Sequence, residues 1–301
     1  MKKAIFKLQF KSGVHFGQGT LGSTGCTFRA DTLYSALFME AVKNQTDKSF
    51  YKMTKEGLLL FSDAFPYCKN ELFLPKPVLK ITSFAHNDVS ERKKYKNLEY
   101  IPLSMWNSYL DGKADIDNIR TDFGIYRQNT RAAVRTGQET LPYQVAAFSF
   151  YEGCGLYFIL MYEEENGYEM VLDLLDLLSY SGIGGKRSSG LGKFDAALAK
   201  ENTSLSELFD KDEGQYMLLS GAYPKDGEAP GLLDGASYML EKRSGFVASE
   251  NYADEWRRKK DLYVFKAGSC FKNTFEGDIY DVSDKGRHPV YRYAKAMFIG
   301  I

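Results

Sequence analysis

Four consecutive residues, Lys186-Arg187-Ser188-Ser189, place two cations and two hydroxyl donors inside an eleven-residue stretch, Gly182 to Gly192, that contains five glycines. Glycine lets the backbone take positive φ and bring its N–H groups close to a ligand. Amides, cations and hydroxyls gathered on one loop suit phosphate oxygens. Two familiar phosphate loops are excluded by context. A dinucleotide fingerprint follows a strand and opens a helix, whereas here an amphipathic helix comes first. Over residues 168–181, Glu169, Asp173 and Asp176 form a solvated stripe, and Met170, Val171, Leu174, Leu175, Leu177 and Leu178 cover the rest. A P-loop needs Lys and Ser/Thr directly after its last glycine, but Gly190 is followed by Leu191 and Gly192. What remains is a helix–glycine loop–strand element with a basic centre. Its bland alternative is a glycine-rich connection bearing solvated charge.

A second set of cations lies in IYRQNTRAAVRTGQETLPYQVAAFSF. Two extended runs, Ile125–Arg135 and Leu141–Phe150, flank Thr136-Gly137-Gln138-Glu139 and read as a protruding hairpin. Arg127, Arg131 and Arg135 are four apart, so a strand puts all three on one face. His15 is one of three histidines, with His86 and His288. A histidine accepts a proton near neutral pH, so it is either a packed side chain or a residue available for general acid–base chemistry. Arg257-Arg258-Lys259-Lys260 reads as a solvated charge run. Cys26, Cys68, Cys154 and Cys270 are far apart with no CxxC pair, which argues against zinc and against a disulfide scaffold, leaving scattered core cysteines. Neither a metal nor a cofactor is expected.

These residues need a framework. A chain of 301 residues suggests about two domains and can bury a core without staples. Lys plus Arg equals Asp plus Glu, 39 against 39, so nucleic-acid binding must come from local patches rather than a global field. MKKAIFKLQFKSG has no long apolar run, so no signal peptide or membrane span is expected and a reducing cytoplasm is the default.

Ala4–Phe10 alternates as a first strand, with Phe6, Leu8 and Phe10 on one face and Ile5 on the other. Asp31 is placed as the N-cap of a helix in which Leu33, Leu37 and Ala41 share a face. Leu58–Phe61 is a short strand ended by Asp63 and Pro66. From about 75 to 145, prolines, the charge run Glu91-Arg92-Lys93-Lys94 and a polar stretch read as an insertion with weak structure of its own, apart from the hairpin. Gly155–Tyr162 is a buried strand, followed by the helix, the glycine loop and a strand over Lys193–Leu198. Residues 1–200 thus follow the βαββαβ order of a ferredoxin-like, RRM-like unit in an α+β protein. Residues 201–301 restart with strands at Tyr216–Tyr223, Met239–Val247, Leu262–Lys266 and Tyr293–Ile299. They read as a second, degenerate ferredoxin-like domain, whose only helix candidate is Ala253–Lys259.

GIGGKRSSGLGKF resembles the G-rich loop of the repeat-associated (RAMP) superfamily of CRISPR proteins. HFGQG with RADTLYSALF, the terminal HPVYRYAKAMFIGI and the arginine-bearing hairpin are similar to one branch of it. That branch is the subunit of the type III-A (Csm) effector complex that grips the 5′ handle of crRNA. The resemblance implies a non-catalytic RNA-binding and assembly role, docked on the large polymerase-like subunit and beside an adjacent backbone RAMP subunit. It further implies that Gly184, Gly185, Lys186, Arg187, Ser188, Ser189 and Gly190 meet the handle. His15, Phe16 and Gly17 would lie along the RNA path, with Arg127, Asn129, Arg131 and Arg135 on the hairpin near target RNA. Arg292 would contribute from the second domain. The paralogue that cleaves target RNA uses an aspartate after its first strand, and Gly17–Arg29 here holds no Asp, Glu or His. The alternatives are a metal-independent crRNA-processing endoribonuclease using His15 and a protein–protein adaptor.

Overall fold

Alternation along the first strand decides how the main sheet is covered. The computed structural model describes residues 1–79, 81, 89–133, 141–249 and 251–301. Strand β1 (Lys2–Phe10) sends Phe6 and Leu8 into one apolar cluster and Ile5 into another, so the sheet is buried on both faces. A short pair, β2 (Phe16–Gly17) and β3 (Thr24–Gly25), leads to helices α1 (Ala30–Lys43) and α2 (Asp47–Lys55). Then come β4 (Leu59–Phe61), β5 (Phe65–Cys68), β6 (Glu71–Pro75), helix α3 (Val89–Asn97), β7 (Tyr100–Pro102) and α4 (Trp106–Leu110). The long strands β8 (Gly124–Ala133), β9 (Leu141–Phe150) and β10 (Cys154–Tyr162) precede α5 (Glu165–Ser181) and β11 (Phe194–Leu198).

The main sheet runs β11-β1-β10-β5-β6-β7, with β4 also paired to β10, and all these pairings are antiparallel. Strand β10 is buried at every position except Met161, as a strand covered on both sides must be. Helices α1 and α5 cover one face through Leu33, Leu37 and Ala41 and through Val171, Leu174, Leu175 and Leu178. Leu177, expected on the buried stripe, lies on its flank and is exposed. Strands β8 and β9 pair over ten residues each as a separate two-stranded ribbon, tied to the rest through the Val14–Phe148 bridge.

Several expectations need correcting. The insertion is not weakly structured among its described residues. Leu98, Ile101, Leu103, Trp106 and Tyr109 form part of the second apolar cluster, against Ile5, Tyr157 and Ile159 on the sheet's other face. Pro66 does not end a strand; it pairs with Leu156 inside β5. Cys68 and Cys154 are cross-strand neighbours on β5 and β10, 4.1 Å apart at Cα, and form a disulfide. Strand register joins them although 86 residues separate them in sequence.

The C-terminal part adds α6 (Thr203–Asp210), β12 (Tyr216–Leu218), β13 (Leu240–Arg243), β14 (Leu262–Phe265), β15 (Cys270–Phe271), β16 (Gly277–Asp281), β17 (Tyr291–Lys295) and β18 (Phe298–Gly300). These strands do not join into one sheet: β15-β12-β18, β13-β14 and β16-β17 are separate. Residues 293–299 are divided between β17 and β18, and residues 253–259 contribute an extended bridge, Phe246–Arg258, rather than a helix. Strand β17 packs on the first helices, with Tyr293 stacked on Tyr34 at 5.4 Å and Tyr291 on Tyr51 at 4.3 Å.

Beneath that contact lies a chain of buried ion pairs. Arg243 grips Asp31 with two nitrogens at 2.7 and 3.0 Å, and Arg292 Nη1 meets the same carboxylate at 2.5 Å. Arg29 donates to Glu241 at 2.8 Å and lies 3.7 Å from Asp63. Asp31 is therefore no N-cap. The acceptor at the start of α1 is Asp63, whose Oδ1 takes the N–H of Ala30 at 2.8 Å and that of Gly221 at 3.0 Å. Burial alone would raise the Asp31 carboxyl, but Arg243 and Arg292 hold it at about 2. Burial pushes Asp63 up to about 6 despite Arg29 and the two amides.

The signs of the two carboxylates oppose each other. The contribution of Asp31 is complete above the ordinary carboxylate range and is lost as pH falls toward 2. Asp63 holds its proton longer in the folded state, so stability declines as pH rises from the ordinary aspartate value to about 6. Asp31→Asn leaves the buried Arg292 and the half-buried Arg243 without their carboxylate and should cost about 3–5 kcal/mol at neutral pH in urea unfolding. The variant should also lose the wild-type acid dependence below pH 4.

Candidate nucleic-acid interface

The glycine loop is built on the turn after β1. At its neck, Ile183 N–H donates to Gly192 O and Gly192 N–H donates to Gly13 O, both at 3.0 Å. Further out, Gly185 N–H donates to His15 O at 2.8 Å. Gly184 has φ +95, and a Cβ there would lie 2.7 Å from His15 O and 3.1 Å from the Phe16 ring. Only glycine allows this approach. Lys186 itself takes left-handed φ 57, and Ser189 N–H closes back on its carbonyl at 2.9 Å. The result is a tight tip on which Arg187, Ser188, Ser189 and Gly190 are exposed and Lys186 is half-buried. Among the described residues, the N–H groups of Lys186, Arg187 and Ser188 have no acceptor.

The turn beneath the loop is tightly packed. His15 is only 4% exposed, and its Nδ1 lies 2.8 Å from Ala146 O. A carbonyl only accepts, so Nδ1 donates its N–H to Ala146 O. Phe16 is buried against Phe10 and Phe28, while Gly17 is exposed.

Strand β9 is the common wall for the two basic elements. It supplies Ala146 to His15, and its Tyr143 ring lies 5.1 Å from Lys186 Nζ. Across the ribbon, Tyr143 faces Arg131, Val145 faces Asn129 and Ala147 faces Arg127. The structure thus brings together His15, Phe16, the glycine loop and the first part of the arginine row. Arg127 and Asn129 are exposed and Arg131 is half-buried. Arg135, residues 136–139 and His86 lie outside the described residues.

Arg292 is a correction. Expected at a nucleic-acid surface, it is 5% exposed and holds Asp31 inside the molecule. Strand β17 is buried continuously from Arg292 to Lys295, an enclosure that the aromatic context of the sequence did not convey.

From the glycine loop a cleft of about 1460 Å³ extends to the C-terminal part. His15, Phe16, Gly184, Gly185 and Arg187 line one end, and Arg29, Arg243 and Phe246 contribute further along. Sequence reasoning did not find these last three. Arg29 and Arg243 carry no motif, and what recruits them is their pairing with Asp63, Glu241 and Asp31. Burial would lower the Arg29 guanidinium, yet Asp63 and Glu241 raise it above its ordinary value. Among the described residues, no group of three or more His, Cys, Asp or Glu could hold a metal ion, and no helix is long and apolar enough to cross a membrane.

The chain is 35% identical over 307 residues to the CRISPR system Cms protein Csm4 of Mycobacterium tuberculosis, covering 100% of this chain and 98% of that protein. The chain belongs to the Csm4 family. A Csm4 protein of Streptococcus thermophilus is 34% identical over 317 residues, covering 99% and 98%. The family model for the CRISPR Csm4 C-terminal domain matches residues 211–301. Csm4 is thus the branch of RAMP-type Csm subunits that the glycine loop and HFGQG resemble. Among solved structures, the Csm3-Csm4 subcomplex of the type III-A CRISPR-Cas interference complex aligns with a TM-score of 0.68 at 19% identity, covering 100% and 99%. A Csm1-Csm4 cassette in complex with cA4 aligns at 0.65 and 17%, covering 100% and 98%. At those identities the likeness is one of fold, a mixed α/β chain with several antiparallel sheets.

Gly184→Ala forces a Cβ against His15 O in a backbone region that L side chains avoid. It should lower stability by about 1–3 kcal/mol, measured by thermal unfolding. Gly190→Ala also has positive φ but meets nothing within 4 Å, so it should cost less.

Proposed function

We propose that this Csm4-family chain is a non-catalytic RNA-binding and assembly subunit of a cytoplasmic type III-A CRISPR effector complex, with the 5′ handle of crRNA held in the cleft. The observation that carries this reading is the convergence on β9. A tip with half-buried Lys186, exposed Arg187 and two exposed serines stands beside a cationic ribbon and a cleft of about 1460 Å³. Phosphates would meet Lys186, Arg187, Ser188 and Ser189 together with the backbone of Gly184, Gly185 and Gly190. Gly17 would border the path and His15 and Phe16 would support it. Arg127, Asn129, Arg131 and Arg135 would face target RNA along the ribbon.

Residues 1–200 are read as a ferredoxin-like unit with the insertion at about 75–145, and residues 201–301 as a second, degenerate one. The order β11-β1-β10-β4, which is fourth-first-third-second in a βαββαβ chain, supports the first assignment. The family match over 211–301 supports a separate C-terminal unit. Partners follow from the relatives: the structures of similar fold contain Csm3 and Csm1. We assign this chain an adjacent backbone RAMP subunit and a large polymerase-like subunit accordingly.

One observation favours the endoribonuclease as the second reading. The His15 ring borders the cleft, and its Nε2 has no hydrogen-bond partner among the described residues. The two readings part in one assay. With handle-bearing RNA and no added metal, the scaffold reading expects binding with intact RNA. The nuclease reading expects a shorter product that His15→Ala abolishes. Replacing Lys186 and Arg187 with Ala should weaken binding and flatten the salt dependence by roughly 0.7 per phosphate contact removed on a single strand. An unchanged slope would count against the loop as a phosphate site.

A further inference from the structure

The charge run Arg257-Arg258-Lys259-Lys260 is not an isolated solvated face. Lys259 N–H donates to Gly245 O at 2.9 Å and Val247 N–H donates to Arg257 O at 3.0 Å, around the antiparallel bridge between Phe246 and Arg258. Residues 245–247 and 257–259 therefore form a short ladder, and period-two alternation puts Phe246, Arg258 and Trp256 on one face. Val247 turns the other way, buried with Tyr252, Val282 and Val290. On the open face, Trp256 is 84% exposed and Phe246 55%. Their rings meet edge to face at 6.1 Å, and the Arg258 guanidinium lies 5.7 Å from the Phe246 centroid.

An indole exposed to that degree, fixed against a second ring and a cation, carries a large apolar area with nothing packed on it. The neighbouring carboxylates are mostly engaged: Asp254 pairs with Arg287 and Asp261 with Lys242. Glu255 is the flanking carboxylate without an ion pair among the described residues. Arg258, the cation on the open face, makes no ion pair there either. It is also continuous with the cleft, because Phe246 and Gly245 line the cleft wall together with Arg243.

We infer that Phe246, Trp256 and Arg258 form a stacking platform that captures one unpaired base of the RNA lying in the cleft. The exposed indole takes the base face, and Arg258 on the same face meets a flanking phosphate. The platform rests on the RNA-binding reading above. An aromatic surface of this kind accepts any base, since every base has a π-face. It would therefore fix the course of the strand rather than read its sequence.

The chain has two tryptophans, and the other, Trp106, is 2% exposed in the second apolar cluster. A change in tryptophan emission on adding RNA therefore reports on Trp256. Titrating the full chain with handle-bearing RNA should quench that emission in step with binding. Trp256→Ala and Phe246→Ala should each weaken binding roughly ten-fold while leaving the salt slope unchanged, because no cation is lost. The paired Lys186→Ala and Arg187→Ala variant should instead flatten the slope while keeping the quench at saturation.

If that loop variant weakens binding but Trp256→Ala and Phe246→Ala bind like wild type, the platform is wrong and the loop assignment stands. If emission is unmoved at RNA saturation yet changes when a large polymerase-like subunit is added, the face belongs to a protein contact and the platform is overturned. Absence of any RNA binding by the wild-type chain would overturn both readings together.

Discussion

The cleft exists because α1 is held to the C-terminal part by a set of ion pairs in which Asp31, Asp63 and Arg292 are buried and Arg29, Glu241 and Arg243 half-buried. Asp31 and Asp63 face Arg29, Arg243 and Arg292, with Glu241 between Arg29 and Arg243, so three carboxylates meet three guanidinium groups. Burying such a set is expensive, and breaking it at one member is more so, because an unpaired charge is left inside. The arrangement is therefore demanding in geometry: few relative placements of α1 and β17 satisfy all six side chains. Aromatic packing of Tyr34 and Tyr51 on Tyr293 and Tyr291 supplies apolar area but tolerates small slides. The ion pairs fix the register.

That register has a functional consequence. Arg29 and Arg243 line the cleft with their charge already compensated, whereas Lys186 and Arg187 at its mouth make no ion pair. A polyanion entering the cleft would meet free cations at the glycine loop and neutralised walls further in. The loop's own position depends on glycine at 184, where the backbone comes into contact with the His15 carbonyl. His15 in turn is oriented by Ala146 of β9, so loop, turn and ribbon form one connected support.

Much of this was legible from the sequence, for identifiable reasons. The glycine loop, the helix before it and the strands β1, β10 and β11 follow from local periodicity and turn chemistry. The ribbon β8–β9 follows from two extended runs around a turn. What stayed hidden was long-range. Asp31 has the residue type and position of an N-cap, yet the capping acceptor for α1 comes from Asp63, 33 residues away. Arg292 sits among aromatics near the chain's end, as a surface stacking residue would, but β17 is buried there and its guanidinium pairs with Asp31. The Cys68–Cys154 pair is set by the register of β5 on β10, which spacing does not encode. The run 257–260 reads as solvated charge until its bridge to Phe246 shows which face carries rings.

The account centres on RNA lying along the cleft from the glycine loop to the C-terminal part. Hydrogen exchange of the full chain, with and without handle-bearing RNA, tests this most directly, since it reads backbone protection at both ends at once. The account predicts slower exchange at residues 184–190 and at 243–248 in the same complex, with residues 168–178 of α5 unchanged. Protection confined to the β8–β9 ribbon, or no protection at 184–190 when RNA is saturating, would contradict it.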